Sequence, residues 1–89
     1  KGEGPEFVRA HSMTHDGSFP NNTSGGQLSV GQAGAAGGFL GMVEAIRQLT
    51  GSAGERTVPD ARLGLVAGFG MVTYDRCLCT GAVILGSAA

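Results

Sequence analysis

Residues 22–38 read NTSGGQLSVGQAGAAGG and constrain the fold more than any other stretch. A polar start leads into a Gly-Gly pair, a short apolar piece and a Gly/Ala-rich run that enters a helix. Glycine is used where φ is positive or where backbones approach closely, so this segment is specified by its main chain more than by its side chains. Gly34, Gly37, Gly38 and Gly41 suit close helix packing. Gly25 and Gly26 precede the helix and are candidates to present N–H groups to an anion or a developing oxyanion. The packing and anion-binding readings both stand at this point.

Downstream, Phe39, Val43, Ile46 and Leu49, together with Leu40, Met42 and Ala45, recur at three-to-four spacing. That period predicts a helix over about 35–50, apolar around more than half its circumference and hence buried between layers. Glu44, Arg47 and Gln48 form its one polar edge, and Gly51 is the expected stop. Residues 28–30 read as a brief extended piece. RLGLVA at 62–67 and AVIL at 82–85 are apolar on both faces, as interior strands of a covered sheet are. The intervening GFGMVTYDRCLCTG, 68–81, reads as a polar connection between them, and residues 1–21 as irregular chain with at most a short strand or helix remnant.

Composition limits what such elements can do alone. Among 89 residues there are 17 glycines, no Trp, four Phe and one Tyr, so a core built from them is light. An apolar fraction of 42% and a charged fraction of 15% lie outside the disordered range. The combination describes one domain at most, under-charged and in need of a partner surface. A net charge of −1 gives no electrostatic case for nucleic acid. No apolar run reaches a membrane span, and the N-terminus lacks the order of a signal peptide, so a cytoplasmic protein is expected.

Side chains that carry chemistry are few. His11 and His15 stand four apart, as metal ligands on a helix can, but neighbouring Gly, Ser and Pro oppose a helix there. Cys77 and Cys79 are too close for an ordinary disulfide and outside the usual zinc spacing, so free thiols and unrelated surface histidines are expected, with no metal site. The Gly-x-Gly at 68–70 lacks a third glycine and a following helix, which argues against a dinucleotide site. Tyr74, beside Asp75, Arg76 and Cys77, could serve as a general acid or base near a cation, or could simply sit in a loop anchored by an Asp-Arg pair.

The series Asn22-x-x-Gly25-Gly26-x-Leu28-Ser29-x-Gly31 resembles the thiolase motif N-x-x-G-G-x-L-S-x-G-H-P. EAIRQLTG, GERTVPDARLGLVAG and TGAVILG follow in the order of the sterol-carrier-protein-x and lipid-transfer branch of that superfamily, and GEGPEFV before the motif resembles the same branch. The resemblance covers essentially the whole chain. It implies an α/β fold: residues 1–89 as part of the C-terminal domain of the layered α/β/α/β/α thiolase fold, with a mixed sheet and a buried helix. It also implies that the acyl-carrying cysteine belongs to an N-terminal part of the subunit, and that a homodimer is the usual state.

Two departures from the motif bear on chemistry. Gln32-Ala33 stands where thiolases have His-Pro, and glutamine cannot take a proton at neutral pH, although it can polarise a carbonyl. The C-terminal loop is lengthened to MVTYDRCLC. Thiolase-like proteins without that histidine occur beside a zinc-ribbon/OB-fold partner, and some cleave β-hydroxyacyl-CoA with tyrosines moving the proton. The resemblance thus implies a coenzyme A thioester as substrate with no bound cofactor. It places Tyr74, Gln32 and Cys77 as candidate catalytic residues and Asn22, Ser24, Gly25 and Gly26 as substrate-binding ones. Alternatives are an acyl-CoA acyltransferase and a non-catalytic lipid- or acyl-CoA-binding scaffold.

Overall fold

The computed structural model describes residues 1–32 and 34–88. The chain opens with helix α1 (Gly4–Ala10), where Pro5 occupies the first turn, Glu6 lies at the positive end and Arg9 at the negative end. Residues 12–19 fold back over it. Phe19 packs edge-on against Phe7 with centroids 5.1 Å apart, and His11 lies against Phe7 at 4.2 Å with the rings tilted by 43°. The opening segment is therefore a helix with a small aromatic cluster, more ordered than its composition indicates.

Residues 28–30 are not extended. They belong to α2 (Gln27–Val30), a single helical turn bracketed by Gly26 at φ 70° and Gly31 at φ 98°. The turn closes through Val30 N–H to Gly26 O at 3.0 Å and Gly31 N–H to Gln27 O at 2.9 Å. An isolated three-residue strand has no ladder to join, whereas a helical turn satisfies its own backbone.

The long helix expected over 35–50 divides in two. Gly34–Phe39 winds as a 3₁₀ segment and α3 (Leu40–Leu49) continues it. Three glycines in that first part each weaken α-helix by about 1 kcal/mol relative to Ala, and the tighter winding follows. The far end behaves as expected. Gly51 at φ 69° lets Ser52 N–H reach Arg47 O at 2.8 Å and Gly51 N–H reach Gln48 O at 3.3 Å, a Schellman stop.

After a short 3₁₀ turn (Gly54–Arg56), strands β1 (Leu63–Thr73) and β2 (Arg76–Gly86) form one antiparallel hairpin. The register runs from Leu63 opposite Gly86 to Thr73 opposite Arg76. Residues 68–81 are therefore mostly strand, and the connection shrinks to Tyr74 and Asp75. Among the described residues the two strands pair antiparallel, and the expected mixed sheet is not formed within them.

One sheet face meets α3. A Cβ on Gly41 would stand 3.3 Å from Val66, and one on Gly64 would stand 3.6 Å from Ala45 and 3.7 Å from Leu49. The pleat sends Leu63, Leu65, Phe69, Met71, Leu78 and Ile84 to the opposite face, where all are exposed. Phe39 just before α3 and Val43 and Ile46 on it are exposed as well. The helix is covered by the hairpin on one side and by the loop at Thr23 and the turn at Arg56 over Glu44, and among the described residues Ala53 is the one buried hydrophobic side chain. The result is an α/β unit with open apolar faces.

Candidate functional site

Asn22, Ser24, Gly25 and Gly26 share one tight loop. Asn22 takes φ 46°, which asparagine tolerates, and its carbonyl accepts from Gly25 N–H at 2.7 Å. Gly25 at φ 86° lies against Ser29, so a side chain there would collide with the Ser29 hydroxyl. Gly26 N–H donates to Ser24 Oγ at 3.4 Å. Both glycine amides put forward as anion donors are thus engaged within the loop, the Gly26 bond being the longer.

Gln32 follows α2 and lies against Gly37. A Cβ at Gly37 would stand 3.1 Å from Gln32 Cγ, and Gln27 Nε2 donates to Gly37 O at 3.1 Å. Two glutamines therefore bracket a buried glycine, which explains why that position has no side chain. Gln32, Val30, Gly31 and Leu40 line a shallow open depression. An amide there can donate through Nε2 or accept through Oε1, so it can hold a carbonyl but not remove a proton.

Tyr74 and Cys77 belong to the far end of the hairpin. Tyr74 is the first turn residue, 100% exposed, with φ 54°. Asp75 and Arg76 beside it approach to 3.8 Å, both exposed. Cys77 is exposed opposite Val72, whereas Cys79 Sγ reaches Gly70 O at 3.2 Å. Among the described residues no hydrogen bond or ion pair joins this group to residues 22–32. The candidate residues thus form two groups, one around the glycine loop and one at the hairpin tip.

His11 and His15 do not share a helix face, since α1 ends at Ala10. His11 Nδ1 faces Ser18 Oγ at 3.4 Å and His15 lies 4.0 Å from Asp16. Among the described residues no three His, Cys, Asp or Glu side chains gather as a metal site would require. No helix among them is long and apolar enough to cross a membrane.

A polar cluster lies directly under the glycine loop. Glu44, 8% exposed on α3, accepts at Oε1 from Thr23 Oγ1 at 2.8 Å and from Gln48 Nε2 at 3.0 Å. Its Oε2 pairs with Arg56 at 2.9 Å. Gln48 Nε2 also reaches Thr23 Oγ1 and Arg56 O, while Gln48 Oε1 accepts from Val58 N–H. Burial pushes the Glu44 carboxyl up, but hydrogen bonds from Arg56, Gln48 and Thr23 and the guanidinium charge outweigh it and hold it below the usual glutamate range.

A family model described as thiolase C-terminal domain-like matches residues 1–86. The chain belongs to this family. Comparisons with curated proteins and with solved structures give no match. In this thiolase C-terminal domain-like chain the motif loop and its small-residue continuation occupy 22–38, and α3 carries the carboxylate that ties the loop down. Sequence reasoning reached the loop but not its anchor. The signal was a Glu44–Gln48 pair, four apart, on the polar edge of a helix otherwise rich in apolar residues.

Proposed function

We propose that this chain is the C-terminal part of a thiolase-fold enzyme of the lipid-transfer branch that processes acyl-CoA thioesters, most directly by carbon–carbon bond cleavage. The observation that carries the reading is Gln32, which follows the motif glycine Gly31 where thiolases have histidine and is held against Gly37. With an amide there, a thioester oxygen can be polarised while proton transfer falls to another group. In a retro-aldol step a base removes the β-hydroxyl proton, the Cα–Cβ bond breaks to give a carbonyl product and an acyl-CoA enolate, and the enolate is protonated at Cα. Tyr74 is the proton-transferring group on this reading, Gln32 faces the thioester oxygen, and Asn22, Ser24, Gly25 and Gly26 line its binding loop.

The hairpin tip and the loop must then be completed by protein beyond these residues. The open faces of α3 and of the sheet support such a covering part, namely the N-terminal portion of the subunit. A homodimer, a zinc-ribbon/OB-fold partner and a cytoplasmic location belong to the same reading and rest on the resemblance. The test is turnover of β-hydroxyacyl-CoA by the full-length protein. Tyr74→Phe should lower kcat by about 100-fold or more, and activity within a few-fold of the parent would remove Tyr74 from the mechanism. The exposed Cys77 thiol favours acyl transfer as a second reading. That reading gains if iodoacetamide abolishes turnover in step with alkylation of Cys77.

A further inference from the structure

We propose that Glu44 is the positioning residue of the glycine loop, acting through Thr23, and that Thr23 is an anchor and not a substrate contact. The functional consequence rests on reading residues 22–32 as the substrate-facing loop. Three separate segments converge on this one carboxylate: the loop through Thr23 Oγ1 at 2.8 Å, the next turn of α3 through Gln48 Nε2 at 3.0 Å, and the 3₁₀ turn through Arg56 at 2.9 and 3.4 Å. Gln48 spans the arrangement: its two Nε2 protons are shared among Glu44 Oε1, Thr23 Oγ1 at 3.1 Å and Arg56 O at 2.9 Å, and its Oε1 accepts from Val58 N–H at 2.8 Å.

The Thr23 hydroxyl commits its one proton to Glu44 Oε1, and its oxygen also faces Gln48 Nε2. Thr23 is one of the two central residues of the turn closed between Asn22 O and Gly25 N–H. Fixing its side chain inward therefore fixes which way Asn22, Ser24 and the glycine amides face. The neighbouring Ser24 differs, because its hydroxyl oxygen has only a 3.4 Å bond from Gly26 N–H and stays available. Glycines at 25, 26 and 31 with positive φ give the loop no stiffness of its own, so its orientation depends on the tether.

The experiment compares the full-length protein with Thr23→Val, which keeps the shape and removes the hydroxyl, and with Thr23→Ser, which keeps the hydroxyl. Amide hydrogen exchange is read over residues 22–31 and over the hairpin, and acetyl-CoA affinity is read by titration calorimetry. Thr23→Val should speed loop exchange at least tenfold, leave the hairpin unchanged and weaken acetyl-CoA binding about tenfold, with Thr23→Ser close to the parent. Unchanged loop exchange in Thr23→Val overturns the anchor, as does equal acceleration in loop and hairpin. Failure of Thr23→Ser to restore either readout overturns it too. A loosened loop with unaltered acetyl-CoA affinity overturns the positioning role. A loosened loop in a protein whose parent binds no acetyl-CoA supports the anchor and sinks the acyl-CoA reading instead.

Discussion

Burying the Glu44 carboxylate on α3 is unfavourable by itself, and donors from Thr23, Gln48 and Arg56 reverse that balance. Glu44→Ala leaves the Thr23 hydroxyl proton and the Arg56 guanidinium short of partners and should destabilise the folded protein by about 1–3 kcal/mol in urea unfolding. The pH dependence has a definite sign. The folded carboxyl titrates below its unfolded value, so its contribution is complete above the ordinary glutamate range and disappears as pH falls through the lower folded value. The stability difference between parent and Glu44→Ala should therefore shrink on acidification. A constant difference would show that the carboxylate charge does not matter. At Gln32, replacement by histidine restores the group that thiolases use, and a gain of acetoacetyl-CoA thiolysis is expected if the remaining machinery is intact. The place of Gln32 in the motif can be read from its spacing to Asn22 and Gly31. The role of Glu44 cannot, because its key partner lies 21 residues away and only folding brings them together.

Among the elements, the hairpin departs furthest from what its sequence announces. Hairpins joined by two residues favour Asn-Gly or Asp-Gly, and Tyr74-Asp75 carries no such signal. Tyr74 nevertheless adopts φ 54°, which disfavours a side chain of its size, and its ring packs on nothing. Tyr74→Gly should accordingly raise stability by up to about 1 kcal/mol, measured as a higher urea midpoint. Turnover should fall in the same variant because the phenol is lost. The polar residues 75–76 disguised a strand that runs through Thr73 and resumes at Arg76. Helix α3 was read more nearly because its apolar period is long and Gly51 ends it, while Gly34, Gly37 and Gly38 changed the winding before Leu40. Its close seat on the hairpin is also testable. Gly64→Ile should cost about 1–3 kcal/mol by pushing on Ala45 and Leu49, whereas Gly64→Ala should be nearly neutral.

For the molecule as a whole, the composition already implied a light core, and the structure shows which apolar faces are open. Leu63 at 75% exposed, Leu65 at 70% and Ile84 at 69% occupy the sheet face away from α3, and Phe39 before α3 and Val43 and Ile46 on it are exposed. Covering the six apolar side chains of that sheet face would contribute on the order of 10 kcal/mol, comparable with the whole stability of a domain. Expressed alone, the 89 residues should bind a hydrophobic dye and melt without a sharp transition. A cooperative melt with no dye binding would contradict the need for cover. The layered α/β class was legible from the motif and the helix period, and the need for a partner surface from the composition; which residues lie on the open faces was not, because the strand register that sorts them forms only on folding. The central claim, a thiolase-type loop that receives an acyl-CoA thioester, is tested most directly by calorimetric titration of the full-length protein with acetyl-CoA. Saturable binding with Kd below about 1 mM is expected, weakened about tenfold by Gly26→Val, which forces a branched side chain onto φ 70°. Absence of saturable binding, or binding indifferent to Gly26→Val, would contradict it.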